Sequence, residues 1–244
     1  MVLVTGGTHG IGRACVERLA RDGKRSVFTG RDRDAGKKVE QAVAGTTYVA
    51  CDVTVEADCR RAVDTALMLG NGSIEGLVNN AGTSSRNAFL DSTAAEWDEI
   101  MAVNARSAFL FTRFALQGLI DCKGAVVNVS SIAGKAGEEG LAIYCASKAA
   151  VIGLTQALAL EFGEAVRFNA VCPGQVATRM MSRITGDPPA RRRLELRIPA
   201  GRFAEPMEIA NVVVWLLSSE SSYVNGAVIT ADGGETAGVR LPRA

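Results

Sequence analysis

The chain has 244 residues, 48 % of them hydrophobic and 22 % charged, with 26 glycines and 6 prolines. That composition excludes a disordered, collagen-like or low-complexity chain, and the length admits a core that needs no disulfide or metal staple. Lys and Arg total 27 against 26 Asp and Glu, a net charge of +1 that gives no footing for nucleic acid, and no run of 18 apolar residues offers a membrane span.

Six cysteines, at 15, 51, 59, 122, 145 and 172, include no Cys-x-x-Cys pair, and the single histidine, His9, cannot complete a Cys/His zinc set. No metal site is expected. The first residues, Met1-Val-Leu-Val-Thr-Gly-Gly, have neither the charged nor the apolar region of a signal peptide. Free thiols without an export signal imply a reducing cytoplasm.

Along the chain, short β-branched runs alternate with longer helical patterns. Strands are predicted at 2–5, 26–29, 47–51, 77–79, 125–130, 166–171 and 227–230, and helices at 11–21, 56–69, 95–119, 148–162 and 206–217. Such alternation means βαβ units, hence an α/β fold with a doubly wound seven-stranded parallel sheet and helices on both faces. No Gly/Ser/Pro linker divides the chain, so residues 1–244 read as one domain. Segment 179–205 breaks the rhythm with three prolines and seven arginines (179, 183, 191, 192, 193, 197, 202) against three acids. A long charged insertion of this kind is a mobile lid or a surface excursion.

Between the first strand and first helix lies Thr5-Gly6-Gly7-Thr8-His9-Gly10-Ile11-Gly12. Glycines here let the backbone turn tightly and approach a pyrophosphate, which the following helix N-terminus would receive on free N–H groups. An ordinary glycine-rich turn is the plainer alternative. At the end of the second strand, Gly30 offers no carboxylate to a ribose, and Arg31 follows. A guanidinium there suits the 2′-phosphate of NADP(H); a solvated turn arginine, or Asp32 presented to the ribose of NAD(H), are the competing readings.

Tyr144 and Lys148 stand one helical turn apart on one face. A phenol has an ordinary pKa near 10, and a neighbouring ammonium lowers it toward a usable general acid/base. Three tyrosines and six lysines in this chain would produce Tyr-x-x-x-Lys by chance roughly 0.07 times. Ser131 follows the strand at 125–130, at the sheet end where open α/β sheets place their chemistry. Ser130 competes with it for that role.

Taken together, Thr5-Gly6 with Gly10-Ile11-Gly12, Asn79-Asn80-Ala81-Gly82, Ser131, Tyr144-Cys-Ala-Ser-Lys148 and Pro173-Gly174 resemble the short-chain dehydrogenases/reductases, from about residue 2 to 234. Within that family the core is similar to the 3-oxoacyl-carrier-protein reductases. The resemblance implies a single-domain Rossmann fold and an enzyme that interconverts a ketone and a secondary alcohol with NADP(H). It implies Ser131, rather than Ser130, on the reacting oxygen, and Asn104 as a water-holding member of a proton relay behind Lys148. It also implies Asp52 and Val53 beside the adenine, Asn80, Ala81 and Gly82 as the cofactor wall, and Val176 and Thr178, after Pro173-Gly174, at the nicotinamide. For Asp52 a capping role remains open. Carrier-docking members carry arginines near the positions of Cys122 and Glu164 here, which favours a free small substrate. A homotetramer, a dimer of dimers through helices 95–119 and 148–162, is the implied assembly. The alternatives are an NAD-dependent alcohol or diol dehydrogenase of the same family and a catalytically silent dinucleotide-binding protein.

Overall fold

Parallel strands covered on both faces are buried along their whole length, and the apolar runs of this chain behave so. A computed structural model describes residues 1–182 and 186–239. Strands β1 (Val2–Val4), β2 (Ser26–Gly30), β4 (Gly76–Asn79) and β5 (Ala125–Val129) are buried at every position. With β3 (Thr46–Ala50), β6 (Arg167–Pro173) and β7 (Val228–Ala231) they form one sheet in the order β3-β2-β1-β4-β5-β6-β7, every pairing parallel. This is the expected doubly wound sheet of a Rossmann-like α/β domain, with its order reversing between β1 and β4. A crevice at such a reversal is where open α/β sheets hold ligands.

Helices α1 (Gly10–Arg21), α2 (Arg33–Ala42) and α8 (Pro206–Leu217) contribute to one core layer, around Val4, Phe28, Val127 and Leu216. Helices α3 (Glu56–Leu69), α5 (Ser107–Ile120) and α6 (Ala142–Phe162) cover the other face, around Leu3, Leu77, Phe111 and Phe168. The helix predicted at 95–119 is two, α4 (Ala94–Met101) and α5, joined by a π turn at Ala102–Arg106. The helix predicted at 148–162 begins six residues earlier, so Tyr144 lies within its first turn.

Helix α2 and α7 (Pro188–Arg197) were not expected from the sequence. Asp187 starts α7 by accepting from the Ala190 N–H, and proline in its first turn lacks only a donor the helix does not use there. Within segment 179–205, residues 183–185, Arg183 among them, lie outside the described residues. Helix α6 is long and apolar enough to cross a membrane. It lies instead against β6 and carries Lys148 on its buried face, as the core helix of a globular domain.

Candidate active site

The crevice between β1 and β4 is closed by one threonine and one asparagine. The Thr5 hydroxyl accepts from the Asn80 and Ala81 N–H groups at 2.9 and 3.0 Å, and the Asn80 side-chain amide donates to the Thr5 and Gly6 carbonyls at 2.9 and 3.2 Å. Gly12 packs so tightly here that a Cβ would stand 2.3 Å from the Gly6 oxygen, and Gly6 has φ +67°. Helix α1 begins at Gly10 with no side-chain cap from His9 and no acid in its first turn. Its first N–H groups are therefore uncommitted, as an anion-binding terminus requires.

Beyond the carboxyl ends of β2 and β3 an open cavity of about 730 Å³ is lined by Arg31, Arg33, Tyr48, Asp52, Asp58 and Arg61, among others. Neither Arg31 nor Arg33 has an ion-pair partner among the described residues. Asp32, the rival of Arg31, caps α2 by accepting from the Ala35 N–H at 3.0 Å and stands 3.8 Å from His9 Nε2. Asp52 caps a turn rather than a helix. Its Oδ1 accepts from the Thr54 N–H and hydroxyl, bonds that hold its carboxyl below the ordinary range with help from Arg31. Val53 is buried.

Beside Gly82 two of the expected side chains meet. A Cβ on Gly82 would stand 3.3 Å from Lys148 Nζ and 3.5 Å from Asn104 Oδ1, so glycine keeps this spot open. Asn104 lies in the π turn, a distortion common at functional sites. Its amide donates to the Thr83 carbonyl and the Ser147 hydroxyl, both at 2.9 Å, while Oδ1 accepts from the Thr83 N–H at 2.8 Å. One Oδ1 lone pair remains. Lys148 is buried, donates to the Val129 carbonyl at 2.9 Å, and sits 5.8 Å from the Tyr144 ring centre.

The electrostatics differ from the sequence expectation. Burial pushes the Tyr144 phenol up to about 12, opposed chiefly by the hydrogen bond with Ser131. Burial also drives Lys148 down to about 8. Lys148 is thus not what sets the phenol here: desolvation dominates, and Glu138 pushes the phenol further in the same direction. The two serines separate cleanly. Ser130 is buried and donates to the Lys148 carbonyl at 2.8 Å, pinning α6, whereas the half-buried Ser131 engages Tyr144.

Pro173 ends β6, and Gly174 is required because a Cβ would lie 2.7 Å from Asp232 Cβ. Val176 bridges to Ala204, and the Thr178 methyl reaches Gly10. In segment 179–205, Arg191, Arg192, Arg197 and Arg202 pair with Glu195, Glu235 and Glu208. Thr5, quoted in the glycine motif, and Ser147 were given no role in the sequence, where a buried hydroxyl carries no periodic signal; here they hold the crevice and Asn104.

A protein-family model described as Enoyl-(acyl carrier protein) reductase matches residues 6–236. The chain is 38 % identical to the 2-(S)-hydroxypropyl-CoM dehydrogenase 3 of Xanthobacter autotrophicus, over 97 % of this chain and 96 % of the relative. It is 36 % identical to the meso-2,3-butanediol dehydrogenase of Serratia marcescens, over 100 % and 97 %. Among solved structures, a putative gluconate dehydrogenase from Agrobacterium tumefaciens superposes with a TM-score of 0.91 at 31 % identity, covering 98 % of this chain and 96 % of that one.

Proposed function

Because this chain belongs to the short-chain dehydrogenase/reductase family, we propose that it is an NADP(H)-dependent oxidoreductase interconverting a ketone and a secondary alcohol, with Tyr144 as general acid and base. Membership carries dehydrogenase chemistry on CH–OH groups and NAD(P) as the class of cofactor. The relatives named for 2-hydroxypropyl and 2,3-butanediol substrates point to secondary alcohols, and Cys122 and Glu164 in place of carrier-docking arginines favour a free small molecule.

The residues present fit a dinucleotide. Gly6, Thr8, His9, Gly10, Ile11 and Gly12 would hold the diphosphate at the uncapped start of α1, with Asp52 and Val53 beside the adenine. Asn80, Ala81 and Gly82 would wall the crevice. Pro173, Gly174, Val176 and Thr178, with Tyr144 and Lys148, would border the nicotinamide end. When bound, the nicotinamide supplies or accepts the hydride.

Two linked pairs carry this reading: Lys148 and Asn104 beside Gly82, and Tyr144 hydrogen-bonded with Ser131, its ring centre 5.8 Å from Lys148 Nζ. In the reduction direction Tyr144, kept protonated by its burial, gives its proton to the carbonyl oxygen, and the Ser131 hydroxyl hydrogen-bonds the same oxygen. Asn104 Oδ1 holds a water on its free lone pair beside Lys148, which returns a proton to the phenol. A silent binding protein would need none of these four groups in register. Segment 179–205 acts as a lid over the nicotinamide end. Exposed Trp97, Phe109 and Leu160 support the homotetramer, and the six free cysteines support a reducing compartment such as the cytoplasm.

Cofactor choice rests on the arginine-lined cavity. The test is kcat/KM with NADPH and NADH on a panel of small ketones, for the native protein and for Arg31→Leu. The native protein should prefer NADPH, and the variant should lose on the order of 1.5–3 kcal/mol with NADPH alone. A native preference for NADH would assign the chain to the NAD-dependent alcohol or diol dehydrogenases. Gly30 is unsuitable for this test, since a Cβ there would stand 2.4 Å from Thr8 Cγ2.

A further inference from the structure

Of the six arginines described in segment 179–205, four are engaged by glutamates. Arg179 and Arg193 form no ion pair among the described residues, and both are exposed. The position of Arg179 is nonetheless constrained. Thr178 precedes the short 3-10 turn Arg179–Met181, and a Cβ on Gly10 would meet Thr178 Cγ2 at 3.2 Å. The turn that carries Arg179 therefore begins directly over the first residue of α1. His9, the residue before that helix, is flanked on one side by Asp32, at 3.8 Å, and bonded by Nδ1 to the Thr8 hydroxyl at 3.0 Å. The Arg179 charge is felt at the same imidazole: after burial it is the strongest influence holding His9 below its ordinary pKa.

A cation without a partner thus faces an uncapped helix start, where glycine leaves the backbone bare. We propose that Arg179 binds the cofactor's diphosphate, clamping it against the N-terminus of α1 and so fastening the start of the lid to the dinucleotide. A guanidinium matches two phosphate oxygens at once, and it adds charge where the helix offers only partial charge. The inference rests on the dinucleotide reading above. It separates two phosphate sites: Arg31, with Arg33 and Arg61 in the cavity beyond β2, serves the 2′-phosphate, and Arg179 serves the diphosphate common to NADP(H) and NAD(H).

Fluorescence or calorimetric titration of Arg179→Gln and Arg179→Lys with NADPH, NADH, ADP-ribose and 2′-AMP tests it. For Arg179→Gln the Kd should rise about tenfold or more for NADPH, NADH and ADP-ribose alike, the scale of a lost charge-assisted contact. 2′-AMP, which has no diphosphate, should bind as to the native protein, and Arg179→Lys should recover part of the loss. Hydrogen exchange should show NADPH protecting residues 178–182 in the native protein and not in Arg179→Gln. Unchanged Kd values for Arg179→Gln would overturn the assignment, as would a loss confined to NADPH and 2′-AMP, which would move Arg179 to the ribose phosphate. A native protein that binds none of the four would overturn the dinucleotide reading itself, and this inference with it.

Discussion

At the scale of single residues, desolvation decides the state of the site. A phenol pushed up to about 12 stays protonated at neutral pH, as a proton donor to a carbonyl must. Tyr144→Phe should lower kcat at least about a hundredfold, while the Kd of the reduced cofactor stays within about twofold, since only the phenolic hydroxyl is removed and the ring stays in place; a variant keeping most of its turnover would refute the role. Lys148 gives a second prediction with a definite sign. Its ammonium ordinarily titrates at 10.5 and here at about 8, so between those values the unfolded chain binds more protons than the folded one. The contribution of Lys148 to stability therefore rises with pH across that window in the cofactor-free protein, while the thiols of Cys15, Cys51, Cys122 and Cys172, held above their ordinary value, contribute in the opposite sense. Between pH 7.5 and pH 10, urea denaturation should show the native protein gaining stability relative to Lys148→Met, and a difference between the two that does not change with pH would contradict it. In the sequence, Tyr144 and Lys148 stood out by type and spacing, whereas Ser131 over Ser130 and the role of Asn104 came only with the family resemblance. The sequence did not show the direction of the phenol's shift, because burial depends on what the rest of the fold packs over the ring.

At the scale of elements, legibility follows from how much each element buries. The strands stand within two residues of their predicted ends because an apolar run in a parallel sheet has sharp borders. Helix α2 was invisible: only Gly36 and Val39 are buried in it, and Gly36 is there to admit the Tyr48 ring, which a Cβ would meet at 2.3 Å. The start of α6 was missed because Leu141 gives no side-chain cap, and the π turn because an inserted residue leaves the composition of a helix unchanged. One cap comes from across the fold. Arg167, at the start of β6, donates to the Leu216, Ser218, Ser221 and Val224 carbonyls, closing the end of α8 and the turn after it. Its burial lowers its pKa without removing its charge. Arg167→Met keeps the stem and orphans those acceptors, so it should cost about 2 kcal/mol or more. Its urea midpoint should fall with little change in slope.

At the scale of the whole molecule, the face covered by α3, α5 and α6 carries more apolar surface than one chain uses. Phe109 on α5 is 48 % exposed, Leu160 on α6 is 89 % exposed, and Trp97 on the neighbouring α4 is 45 % exposed. A scattered exposed apolar side chain needs no explanation, but several on adjacent helices mark a surface that another chain covers. The same excess makes α6 apolar enough to resemble a membrane span although its other face packs on β6. A surface of paired helices suits a two-fold contact, since each copy then offers the other the same patch, and a second two-fold closes the set at four. Light scattering at micromolar concentration should return four times the 25.6 kDa of the chain. Phe109→Glu combined with Leu160→Glu places charges in that contact on residues that the monomer leaves 48 % and 89 % exposed. The doubly substituted protein should fall to a smaller species while its far-ultraviolet circular dichroism stays native. A native protein with the mass of one chain, or a charged variant that still assembles to four, would refute this face as the interface.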